Sequence, residues 1–105
     1  MRIAEVASAI KSANAGASQI TIDIVFADWD TYELVAAERW PDPSVVAGLY
    51  RVDPDEVRVH HYRPARTVKV TIPRAVVSGG VDERDFDGVQ QYVPILDLEL
   101  DIPGI

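Results

Sequence analysis

Between residues 18 and 26 the apolar positions Ile20, Ile22, Ile24 and Phe26 alternate with Gln19, Thr21 and Asp23. A period of two is that of a half-buried strand, with one face on a core and the other turned outward. Three further runs carry the same period. In 57–62, Val57, Val59 and His61 face one way, and Arg58, His60 and Tyr62 the other. In 67–74, Val68, Val70 and Ile72 are inward, and Thr67, Lys69 and Thr71 outward. In 95–102, Leu96, Leu98, Leu100 and Ile102 oppose Asp97, Glu99 and Asp101. Arg63-Pro64-Ala65-Arg66 is a turn of hairpin length between the second and third runs.

Other segments follow the helical period. Ile3, Val6, Ala7 and Ile10 make one stripe and predict a helix over 2–12. Asn14 and Gly16 tolerate a left-handed backbone and suit its C-terminus. Asp30 followed by Glu33 resembles a capping box and starts a second helix, which runs to about Arg39. Trp40-Pro41 ends it, and Asp42-Pro43 opens a third helix over about 43–50 that presents Val45, Val46, Leu49 and Tyr50. Asp53-Pro54-Asp55-Glu56 is a short helical or tight turn. Residues 75–91 show no period, and Ser78-Gly79-Gly80 and Asp87-Gly88 interrupt them. So long a loop in a small domain points to function, an interface or mobility.

These elements predict an α+β domain. The expected arrangement is a ferredoxin-like four-stranded sheet with helices on one face. A helical crossover joins strand 18–26 to strand 57–62 and leaves room for strand 67–74 between them. The usual second helix of that fold has no counterpart after residue 74, so the N-terminal helix is expected to supply it. At 105 residues the chain is expected to form one domain, 1–105.

Composition narrows the function only by class. A net charge of −7 disfavours nucleic acid as a partner. Arg51, Arg58, Arg63, Arg66, Lys69 and Arg74 nonetheless crowd the middle of the chain, where an anion or plain solvent are both fitting company. There is no cysteine, which rules out disulfide and thiol chemistry. No long apolar run predicts a membrane span. The charged N-terminus is unlike a secretory signal, so a cytoplasmic location is expected.

Candidate chemistry is sparse, and no cofactor is indicated. His60 and His61 point to opposite faces of a strand and cannot share a metal, so a structural or surface role is expected for them and no metal site. Asp23 lies on the polar face of its strand, within reach of Lys69, Thr71 or Asp97 from neighbouring strands. It gains interest if another chain covers that face. Ser12, Asn14 and Gly16 offer a hydroxyl, an amide and backbone N–H groups, which suit either an anion or a simple helix cap. Gln90 and Gln91, between the long loop and the last strand, are hydrogen-bonding groups suited to recognition. Arg74 stands at the mouth of the same loop.

Three runs, SANAGASQITIDIVFAD, VRVHHYRPARTVKVTIPR and GVQQYVPILDLEL, resemble in order the small domain-of-unknown-function family 4387. That family is similar to the C-terminal ferredoxin-like domain of acyclic terpene utilisation proteins of the AtuA type. Those domains carry an Arg-Ser-Gly-Asp-Lys-Gly turn where this chain has Lys11-Ser12-Ala13-Asn14-Ala15-Gly16. Ser12 and Gly16 are kept, while the acid and the lysine of that turn are replaced. The resemblance implies a separately encoded small subunit that docks on a large AtuA-like protein. The pair would act in catabolism of a carboxylate or acyl-thioester metabolite. Whether the small chain is itself catalytic is left open. The alternatives are an independent small-molecule-binding domain, using Asp23, Arg74 and the loop 78–91, or an oligomerisation module pairing through sheet faces or edges.

Overall fold

In the computed structural model, residues 1–16, 18–73, 95–96 and 98–104 are described. A four-stranded antiparallel sheet is flanked by three helices, an α+β fold. In chain order the elements are α1 (Ile3–Val6), β1 (Ala9–Asn14), β2 (Gln19–Val25), α2 (Trp29–Ala37), α3 (Pro43–Tyr50), β3 (Arg58–Tyr62) and β4 (Thr67–Pro73). Single 3-10 turns at Pro54–Glu56 and Arg63–Ala65 precede β3 and β4. The sheet order is β1-β2-β4-β3, every pair antiparallel. Strand β4 thus lies between β2 and β3, as the crossover argument requires.

Both helices between β2 and β3 begin on an aspartate. Asp28 Oδ1 accepts the Thr31 backbone N–H at 2.8 Å, so α2 starts two residues ahead of the expected Asp30 cap. Asp42 caps α3, accepting the Ser44 N–H at 2.9 Å with Pro43 in the first turn, as expected. Such a cap fills one of the donors that a helix start leaves without a partner.

Two expectations fail at the chain's ends. The N-terminal helix is a single turn, Ile3–Val6, and not a second layer helix over 2–12. Residues Ala9–Asn14 instead pair along β2 as an edge strand. Among the described residues the closing segment does not enter the sheet. It makes one bridge, Arg2 to Glu99, while Ile3 N–H donates to Leu98 O at 2.9 Å and Leu100 N–H to Met1 O at 2.8 Å. Its alternation is real over 98–102, where Leu98, Leu100 and Ile102 are buried and Glu99 and Asp101 exposed, with Ile95 rather than Leu96 buried ahead of them. The edge beside β2 is taken by a strand that returns through a short turn. Closing that turn needs far less chain entropy than bringing residues 95–102 across the sequence.

The core lies on one face of the sheet. Ile20, Ile22 and Ile24 of β2 and Val68, Val70 and Ile72 of β4 meet Tyr32 and Val35 of α2 and Val46 and Ala47 of α3 in one cluster. Ile3, Ile95, Leu98, Leu100 and Ile102 close it. Each such side chain contributes about 1.5–3 kcal/mol when taken from water. Burial of this kind, more than any polar contact, holds the helices on the sheet.

Candidate functional site

The strand register separates the expected site residues. Ser12 pairs with Ile22 and Asn14 with Ile20, so both side chains sit on the core side of β1. Ser12 is 8% exposed, which makes it a buried strand residue and not part of an open helix-capping turn. Asn14 is half-buried at the end of β1, also not a helix cap. Gly16 lies in the hairpin turn with φ +94°, a left-handed position that favours glycine. The turn is closed by the Ala15 N–H on Gln19 O at 2.9 Å.

Asp23 points the other way. It pairs with Lys11 on one side and Lys69 on the other, on the sheet face away from the core. Lys69 Nζ stands 3.8 Å from Asp23 Oδ1, too long for a hydrogen bond but close enough for an ion pair. Asp23 therefore does not join Ser12 and Asn14 in one site. Arg74, Gln90 and Gln91 lie outside the described residues, as do Asp97 and the loop 78–91.

The two histidines also part. His61 sits on the core side of edge strand β3, and its Nε2 lies 2.7 Å from the carbonyl oxygen of Trp40. A carbonyl only accepts, so Nε2 carries the proton. Trp40 in turn donates its indole N–H to Glu99 O at 3.0 Å. The end of α2, strand β3 and the closing segment are thus tied at one tryptophan, followed by a cis peptide to Pro41. His60 is on the other face, 6.2 Å from the Tyr62 ring. Among the described residues no group of His, Cys, Asp and Glu is placed to hold a metal ion.

Other surface groupings have no counterpart in the sequence reading. Arg66 lies 5.1 Å over the Trp29 ring and donates from Nε to Phe26 O at 3.0 Å. Arg63 pairs with Glu33 at 2.6 Å, and the Trp29 indole donates to the Arg63 carbonyl at 3.3 Å. These contacts fasten the start of α2 to the turn between β3 and β4. Tyr50 of α3 is half-buried, and burial pushes its hydroxyl well above the usual range against the opposing pull of the Ile95 N–H. It stays a neutral phenol, serving to anchor residue 95.

Helix α3 stands out by its surface. It reads PSVVAGLY, with no charged residue. Val46 and Ala47 go to the core, while Val45 is 50% exposed and Leu49, one turn later, 37%. An uncharged helix with apolar groups on its outer side has the pattern of one covered on both sides.

The family model described as "Domain of unknown function (DUF4387)" matches residues 3–99. The chain belongs to this family. Neither the curated proteins nor the solved structures hold a match to it. For this DUF4387 chain the matched span runs from the first core residue, Ile3, to Glu99, which bridges back to Arg2. It therefore takes in both edges of the sheet and, of the contacts between the two end segments, the Ile3–Leu98 hydrogen bond. Among the described residues of this DUF4387 domain no helix is long and apolar enough to cross a membrane.

Proposed function

We propose that this domain is the small subunit of a two-part catabolic protein, docking through the outer side of α3 on a large AtuA-like chain. The observation that carries the reading is the exposed Val45–Leu49 pair on a helix without charge. A second, catalytic-sounding surface is not needed: the small chain completes a site that the large chain mostly builds. Ser12 and Asn14 line the core side of the β1 edge and Gly16 the tip beyond it, so hydrogen-bonding groups follow one edge of the domain.

The test is co-expression of the domain with the large chain, comparing wild type with the double variant Val45→Asp, Leu49→Asp. Wild type is expected to bring the large chain down in fixed ratio. The variant is expected to lose it while its melting temperature changes little, since both side chains are exposed. Full retention of the large chain by a folded variant would overturn the α3 assignment.

A further inference from the structure

The sheet face away from the core presents three rows across its strands. In the order β1-β2-β4-β3 they are Ala13–Thr21–Thr71–Arg58, Lys11–Asp23–Lys69–His60 and Ala9–Val25–Thr67–Tyr62. Both lysines of the chain stand in the middle row, one on each side of Asp23. Asp23 keeps 36% and Lys69 45% of its side chain exposed. Among the described residues Asp23 Oδ1, a buried atom, makes no hydrogen bond, and it stands 3.8 Å from Lys69 Nζ.

We propose that this face is a homodimer interface, with a second copy of the same chain lying on it across a two-fold axis that runs along the strands between β2 and β4. The register pairs Asp23 with Lys69 across that axis. Rotation about it lays each residue of β2 and β4 over its own cross-strand neighbour in the partner, and each outer-strand residue over the far end of its row. Asp23 then faces the second copy's Lys69 and Lys69 its Asp23, which closes two ion pairs into a four-charge cluster. Thr21 meets Thr71, and Val25 lies over Thr67, which is itself only 6% exposed. In the outer columns Ala13 lies opposite Arg58 and Ala9 opposite Tyr62, small against large, while Lys11 lies opposite His60 in the middle row.

The axis between β2 and β4 is the centre of the four-strand order, so all four strands overlap. Tilting it from the strand direction by half the usual angle of about 30° between stacked sheets preserves the pairing. A two-fold axis across the strands along the middle row would set Asp23 on Asp23 and Lys69 on Lys69, and like charges reject it. The charge cluster selects the geometry more than it supplies affinity, because taking charges from water offsets much of their attraction. This interface is on the sheet, away from α3, and stands whether or not a large chain docks there.

Sedimentation of the purified wild-type chain at micromolar concentration is expected to give twice 11.6 kDa. Asp23→Lys places three lysines in the row, at 11, 23 and 69, and Lys69→Asp two aspartates beside Lys11. Each variant alone is expected to sediment as a monomer. Mixed together, they are expected to form a heterodimer, since lysines then face aspartates across the axis. Lys69→Gln removes one charge without adding a like one, and is expected to weaken the dimer about tenfold or more. A wild-type monomer, a folded charge variant that dimerises as tightly as wild type, or a mixture that stays monomeric would each overturn the proposal. In Val45→Asp, Leu49→Asp the dimer is expected to persist, which separates this interface from the α3 surface.

Discussion

Single side chains decide how far the fold resists acid and substitution. The Asp28 carboxyl is held below its usual value first by the Thr31 backbone N–H, then by the Thr31 hydroxyl, with Arg66 adding a charge. A depressed carboxyl contributes stability that is present above the unfolded value and lost as pH falls through the folded one. Asp28→Asn keeps a cap but removes the titration. The melting temperature of wild type relative to this variant is expected to drop on acidification from about pH 5 to about pH 2, and a constant difference would show that the cap does not titrate with folding. The effect is small because Asp28 is exposed. His61 matters through its donor. His61→Phe leaves the Trp40 carbonyl without that N–H and is expected to lower unfolding free energy by about 1–2 kcal/mol, read from urea titration. The structural role expected for a strand histidine was legible at this position, but its partner was not, because Trp40 is distant in sequence.

At the scale of elements, legibility followed the strength of the hydrophobic period. Strands β2 and β4 were readable because Ile20, Ile22, Ile24, Val68, Val70 and Ile72 alternate without interruption, and β3 because Val59 and His61 alternate with Arg58, His60 and Tyr62. Strand β1 was not, since its core side carries Ser12 and Asn14 after Ile10, and a helical stripe through Ile3, Val6, Ala7 and Ile10 outweighed so weak an alternation. The signal that would have found it is the turn itself: Gly16 between two extended runs marks a hairpin as readily as a helix end. Gly16→Ala tests that turn. Space is open around the missing Cβ, so the expected loss of about 1 kcal/mol comes from the left-handed backbone alone. Ile22→Ala, at a wholly buried position, is expected to cost about 2–5 kcal/mol. Of the candidate site, the outward side of Asp23 was legible and the core side taken by Ser12 and Asn14 was not. Only the register reveals that Asp23 faces away from Ser12 and Asn14, because the paired strand had been read as a helix.

For the whole molecule, two surfaces on different elements define the proposed assembly. The sheet face carries a charge pattern that matches its own rotated copy, and α3 carries an apolar pair without a charged neighbour on its helix. Together they describe a pair of small chains, each presenting one α3 to one large chain. The most direct measurement is the native mass of the protein purified gently from its own cells with its natural neighbours expressed. Equal numbers of small and large chains, two of each, are predicted. A lone species of 11.6 kDa, or a homodimer with no large chain bound, would contradict the subunit function.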